Sequence, residues 1–334
     1  MSLAVITGAS GLLGANLAEA LLAGGHRVRA TRRASTRVDH LADLAIEWAD
    51  ADLGEPARLA EAFAGADAVF HCAAQVTIRR GVTPLLTAAN VTGTANVLDA
   101  VRTASVPRLV HTSTVGAVGL STDGAPCTEE ARWNFEEAGL LDGYAITKRQ
   151  SEDLVHAAAA AGLDAVIVNP TYMLGPRDAR PSSGRLIVDV VRRRVPGWTP
   201  GHNNFVDVRD VARGMIAAWQ RGRAGERYIL GGRNMTYREI MERIARVAGV
   251  RPPRFRAPRA LARAVGRLGD LSERLRDSEP LINSVTVGYA FTSRFQFASD
   301  KAARCLDYAT GPIDDAIRDA ITWFRARGML PPAR

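Results

Sequence analysis

The apolar run Leu3-Ala4-Val5-Ile6-Thr7 leads directly into Gly8-Ala9-Ser10-Gly11-Leu12-Leu13-Gly14, and Leu17, Leu21 and Leu22 follow at helical spacing. Nothing else in the chain restricts the fold as strongly. Glycines at three-residue intervals permit a tight turn, let backbone approach a pyrophosphate, and let the next helix pack closely on the sheet. The helix N-terminus then points its unpaired N–H groups at that phosphate. The turn marks Gly8, Ser10, Gly11, Leu12, Leu13 and Gly14 as dinucleotide-binding residues.

Short β-branched runs and helical patterns alternate after it. Strands are expected at 3–7, 28–32, 68–72 and 108–113, with helices reaching Leu22 and covering 56–63 and 87–102. This order predicts an α/β fold, a Rossmann-type doubly wound parallel sheet with right-handed crossovers and a ligand crevice at the carboxyl ends of its strands. A further strand, 165–169, ends at Pro170. Beyond it Pro and Gly are frequent to Gly201, and basic amphipathic segments cover 238–247 and 259–276. The expected division is a nucleotide-binding domain at 1–170, with 205–232 returning to it, and a smaller, mostly helical substrate-binding part at 171–204 and 233–334.

With 334 residues, 47% apolar and 23% charged, the composition is that of a globular chain. No apolar run approaches the roughly 18 residues of a membrane span, and residues 1–7 lack the basic flank of a secretory signal. Three widely spaced cysteines, Cys72, Cys127 and Cys305, suit a reducing cytoplasm better than a disulfide framework. The excess of 43 basic over 35 acidic side chains, a net +8, would suit an anionic partner. Its densest runs carry neither helix-turn-helix nor zinc-ligand spacing, so nucleic acid is not the expected partner and no metal is expected.

Where the second strand ends, an acidic residue would bind the ribose hydroxyls of NAD; Arg32 and Arg33 stand there instead. A guanidinium binds a 2′-phosphate through paired charge-assisted hydrogen bonds, so NADP(H) is the expected cofactor. Tyr144-Ala145-Ile146-Thr147-Lys148 opens another helix, with phenol and ammonium one turn apart on one face. A nearby ammonium lowers a phenol's pKa and makes it a usable acid or base. Six tyrosines and two lysines in the whole chain make a chance pairing at this spacing rare. Upstream, a strand ends in His111-Thr112-Ser113-Thr114, which places hydroxyls at the sheet's carboxyl edge.

Together these residues resemble the extended short-chain dehydrogenase/reductases, the NAD(P)-dependent epimerase/dehydratase family. The resemblance also takes in Asp52-Leu53, His71-Cys72-Ala73-Ala74, Asn90-Val91-x-Gly93-Thr94, Asn169-Pro170, Gly175-Pro176, Phe205-Val206-x-Val208-x-Asp210-Val211 and Asp300-Lys301-Ala302. It implies Thr114, Tyr144 and Lys148 as the catalytic set; Thr114 stands where the family more often has serine, and Ser113 is the alternative. It further implies Asp52 and Leu53 beside the adenine, Ala73, Ala74 and Gln75 beneath the cofactor, and Thr112, Pro170 and Tyr172 near its nicotinamide end. The chain is most similar to the dihydroflavonol-4-reductase and 3β-hydroxysteroid-dehydrogenase-like branch, which includes hopanoid-associated sugar epimerases. Sugar-nucleotide enzymes of the family commonly carry a diphosphate-binding arginine before the F-V-x-V-x-D aromatic. Asn203 and Asn204 occupy that place here, with Arg177, Arg180 or Arg185 as substitutes.

The expected activity is NADPH-dependent reduction of a ketone or aldehyde on a small, mostly uncharged molecule. The alternatives are a sugar-nucleotide epimerase or dehydratase with retained cofactor, and a non-catalytic cofactor sensor. The substrate pocket is expected from Val76, Ile78, Tyr172, Met173 and residues 261–289, and a cytoplasmic homodimer is expected through the helices at 87–102 and 144–161.

Overall fold

The computed structural model describes residues 1–276, 280 and 282–332. Its strands are β1 (Leu3–Thr7), β2 (Arg27–Arg32), β3 (Ile46–Asp50), β4 (Ala68–His71), β5 (Leu109–Thr112), β6 (Ala165–Pro170), β7 (Tyr172–Leu174), β8 (Gly197–Trp198), β9 (His202–Asp207), β10 (Arg227–Leu230), β11 (Arg233–Thr236) and β12 (Phe255–Arg256). Its helices are α1 (Leu12–Ala23), α2 (Pro56–Phe63), α3 (Pro84–Leu86), α4 (Gly93–Thr103), α5 (Gly143–Ala160), α6 (Arg185–Val191), α7 (Val208–Arg221), α8 (Tyr237–Ala248), α9 (Arg259–Arg276), α10 (Ser284–Phe291), α11 (Asp300–Leu306) and α12 (Ile313–Ala326).

Seven strands form one parallel sheet in the order β10-β6-β5-β4-β1-β2-β3. The order reverses between β1 and β4, so the crevice opens where Gly8 and Ala73 follow those strands. Helices cover both faces, which is why β1 and β6 are buried throughout and read as continuous apolar runs. Leu17, Leu21, Phe70, Met215 and Tyr228 fill the α1/α7 side, and Leu59, Phe63, Val97, Val101 and Val155 the other.

A second core of Leu174, Ile187, Phe205, Ile240, Ile317 and Phe324 lies beneath a small sheet of order β11-β9-β7. The two cores meet along β9, where Phe205 packs into the second and its neighbour Val206, with Val208 after it, into the first. Ala302 and Leu306 of α11, with Tyr308, also pack into the first core.

The helix expected at 87–102 starts earlier, at Pro84, with the Thr83 hydroxyl accepting from Leu86 N. It then passes through a π-helical turn, Thr87–Thr92, before α4. Such turns often mark functional sites.

Candidate active site

The glycine turn has no room for side chains. Gly8 has φ +78°, and a Cβ there would lie 2.6 Å from Ala73 N; one on Gly14 would strike the Gly8 carbonyl. Gly11 precedes α1 without a side-chain cap, leaving the N–H groups of Leu12, Leu13 and Gly14 unpaired at the helix start. The side chains of Leu12 and Leu13 are buried in the core, so only their backbone faces the cleft. The cleft encloses about 370 Å³ and is lined by Gly8, Ser10, Gly11, Asp52, Leu53, Ala73, Ala74 and Gln75. A close-approach backbone cradle beneath free N–H donors fits a dinucleotide pyrophosphate.

Arg32 and Arg33 line the same cleft. Arg32 Nε donates to Asp50 Oδ1 at 2.9 Å across the β2/β3 pair, and its guanidinium lies 5.6 Å from the Trp48 ring centre. Arg33 is mostly exposed, 3.9 Å from an Asp52 oxygen. Asp52 also accepts from Gly54 N, which shapes the loop after β3.

Behind the cleft, one polar chain fixes the tautomer of a buried histidine. Thr94 Oγ1 donates to Asn90 O at 2.7 Å, so it accepts from His71 Nε2. Nδ1 is therefore the acceptor, Thr7 Oγ1 donates to it at 2.7 Å, and Thr7 in turn accepts from Ala73 N. Burial, aided by the Lys148 charge, pushes the His71 pKa down to about 3, so this neutral pattern holds. Asn90, in the π turn, clamps Gln75 through both its N–H and C=O and donates to Thr147 Oγ1 of α5. The glycine turn, the loop after β4 and α5 are thus joined through uncharged side chains.

Asp142 caps α5, accepting from Ala145 N at 2.6 Å, and thereby sets Tyr144 in the first turn. Lys148 Nζ donates to Thr112 O at 2.7 Å, and the Thr114 hydroxyl, which accepts from Gly116 N, lies beside the Tyr144 phenol. The expected lowering of the phenol's pKa by Lys148 is corrected here. Burial, reinforced by the Asp142 carboxylate, pushes Tyr144 well above its ordinary value, and Thr114 offsets only part of this. Burial pulls Lys148 down to about 8. The site therefore holds a protonated phenol beside a poorly solvated ammonium.

Ser113, the alternative hydroxyl, is buried on the side of Glu152. That carboxylate accepts from Asn169 Nδ2 at 2.8 Å and pairs with Arg227 at 3.0 Å. Burial raises its pKa, but the neighbouring His156 and Ser113, the Arg227 charge and the Asn169 hydrogen bond outweigh that and hold it low. Asn169 also donates to Thr114 O, which braces the strand end. His111 is fully buried and packs 5.3 Å from the His71 ring centre.

Three expectations fail locally. Tyr172 packs on Phe205 in the second core, and its hydroxyl donates to Ser183 O rather than facing the crevice beside Pro170. Arg177 cannot serve a diphosphate, because Glu19 and Asp43 already hold it; Arg185 is paired with Asp189. In the segment 261–289, Leu261 and its neighbours on α9 point to solvent, whereas Tyr289 folds over Asp142; residues 277–279 and 281 lie outside the described residues. Asn90, Thr94, Glu152 and Asn169 form the support that motif reading left without a role. Their signal is a polar side chain inside an otherwise buried element.

A model of the NAD dependent epimerase/dehydratase family matches residues 4–231. The chain belongs to this family. It is 36% identical to the sterol demethylase protein B of Methylococcus capsulatus over 98% of this chain and 99% of that one. It is 34% identical to a Synechocystis protein named after dihydroflavonol 4-reductase, over 97% and 95%. Among solved structures, a nucleoside-diphosphate-sugar epimerase from Pseudomonas aeruginosa superposes with a TM-score of 0.82 at 28% identity, over 99% of each chain. Family membership and fold are therefore shared by reductases and epimerases alike.

Proposed function

We propose that this protein is an NADPH-dependent reductase of a ketone or aldehyde on a small, mostly uncharged molecule. The observation that carries the reading is the half-buried, protonated Tyr144 phenol beside Thr114, one helical turn from Lys148. A nicotinamide cofactor, when bound in the cleft, supplies the hydride. Thr114 positions the carbonyl oxygen, Tyr144 donates the proton to it, and Lys148 holds the ribose and resupplies charge as the phenol gives up its proton. The leading relatives' names, a sterol demethylase protein and a reductase, support small-molecule redox chemistry.

A bound sugar nucleotide fits less well. Asn204 is fully buried and spent on Thr171, Gly232 and Asn234, and Asn203 bonds the Tyr237 hydroxyl. No guanidinium stands at that position to meet a diphosphate, and the lost charge-assisted hydrogen bonds would cost about 1.5–3 kcal/mol each. The reading includes a cytoplasmic homodimer through α4 and α5.

The test is NADPH oxidation against a panel of carbonyl compounds, with cofactor affinity by calorimetry. Net turnover is expected, with NADPH bound more than about tenfold tighter than NADH, and with Arg32→Ala/Arg33→Ala removing most of that preference. Arg32 and Arg33 are partly exposed, so salt screens them and the preference should shrink at high salt. Tightly retained cofactor with no net turnover would give the site to an epimerase instead.

A further inference from the structure

Helix α9 turns its apolar side to solvent. Leu261, Val265, Leu268, Leu271 and Leu275 are 62, 39, 66, 51 and 75% exposed. At 3.6 residues per turn they share a sector about 120° wide. The opposite side packs through glycines: a Cβ on Gly266 would lie 3.1 Å from Asn283 O, and Gly269 lies tight against the Ile282 carbonyl.

Charge on this helix is sorted in the same sense. Both acids turn inward, Asp270 to Ser284 N and Arg80, and Glu273 with one carboxylate oxygen buried. Arg263, Arg267 and Arg274 run along one edge of the apolar sector, all exposed, with no carboxylate partner among the described residues. Phe255, 73% exposed, and the exposed Arg254 and Arg256 stand on or beside β12, just before α9 in the chain. Elsewhere much of the arginine is neutralised, as in Arg29, Arg108, Arg177, Arg209 and Arg227.

An apolar stripe edged by guanidinium groups without carboxylate partners among the described residues matches an anionic bilayer surface, with leucines at the acyl boundary and arginines at headgroup phosphates. A second copy of the same face fits worse, because its arginine edge would confront its own like charge. We propose that α9 and β12 form a peripheral docking surface for anionic phospholipid membranes. No helix among the described residues is long and apolar enough to cross a bilayer, so α9 lies on the surface rather than through it. The same helix pair holds the loop that follows Gln75: Asn283 Nδ2 donates to Ile78 O and Arg80 pairs with Asp270.

The test is flotation of the intact protein with phosphatidylcholine vesicles, with and without phosphatidylglycerol. Wild type is expected to float only with the anionic vesicles and to be released by salt. Leu268→Glu/Leu271→Glu/Leu275→Glu and, separately, Arg263→Glu/Arg267→Glu are each expected to lower partitioning by roughly tenfold or more while circular dichroism stays unchanged. Wild type left unbound by anionic vesicles would overturn the proposal, as would equal binding by the variants. So would a dimer in sedimentation that the leucine variant dissociates, which would assign the face to a second copy.

Discussion

His71 shows how one uncharged side chain can hold a charged site in place. Its folded pKa of about 3 lies below the unfolded value near 6.5, so the native ring stays neutral while the unfolded chain takes up a proton. As pH falls from 6.5, the unfolded state binds more protons and stability declines, by at most about 1.4 kcal/mol per pH unit for this ring. His111, also depressed by burial, acts in the same direction. We expect the unfolding free energy to drop by about 2–3 kcal/mol or more between pH 6.5 and 4.5 on these grounds. Nitrogen-15 spectra should show His71 as the Nε2–H tautomer throughout that range; a ring titrating near 6.5 would rule out the Thr7–His71–Thr94 chain. The pair proposed here as catalytic, Tyr144 and Lys148, was visible in the sequence because its chemistry needs rare types at fixed spacing. The support was not, because Asn90 and Glu152 owe their partners to segments 15 to 75 positions away.

At the level of elements, β1, β6 and α2 could be read closely because burial on one or two faces imposes its period directly on the sequence. β3 escaped the pattern because it is the sheet edge, where Ile46-Glu47-Trp48-Ala49-Asp50 is only partly buried. The π turn also escaped it, since one extra residue per turn leaves no mark on an apolar period. The start of α5 carries a prediction of its own. Asp142 accepts from Ala145 N with one oxygen and from the Tyr289 hydroxyl with the other, at 2.5 Å. Asp142→Ala loses the cap and leaves the Tyr289 hydroxyl only Leu140 O to donate to, and should cost about 1–2 kcal/mol in chemical denaturation. Asp142→Asn keeps both acceptor contacts through its carbonyl only in part, yet removes the charge that raises the Tyr144 pKa. It should fold with a smaller loss, and the basic limb of its pH–rate profile should move to lower pH, because the phenol then ionises more readily. An unmoved limb would mean that Tyr144 does not titrate in the profile.

For the whole molecule, the decisive joint is the one between its two parts, and it runs through an arginine that sequence reading had offered to a diphosphate. Arg177 follows β7 with φ +69°, a conformation that non-glycine residues seldom adopt, and is itself 8% exposed. Its guanidinium donates to both oxygens of Glu19 on α1, at 2.9 and 3.1 Å, and to both of Asp43, at 3.1 and 2.6 Å. Asn16 of α1 adds a bond to Pro176 O beside it. The glycine-turn helix is thus tied to the substrate part, which keeps the cleft and the pocket in one frame. Glu19 and Asp43 are about half exposed, so on Arg177→Met both carboxylates return to water and no buried charge is left behind. The loss should accordingly be about 1–3 kcal/mol, below the 3–5 kcal/mol of a wholly buried pair. Arg177→Lys should recover little of it, since one ammonium cannot serve two carboxylates bidentately. The hydrogen bonds from Arg177 hold the Asp43 carboxyl below its usual pKa, so this stabilisation is complete above about pH 4 and fades as pH falls through the folded value. The gap between wild type and Arg177→Met in denaturant midpoint should be widest near pH 7 and narrow on acidification. Amide exchange at residues 39–43 should quicken in the variant while β1 and β6 keep their protection; uniform quickening across the sheet would show that Arg177 supports the core and not the joint.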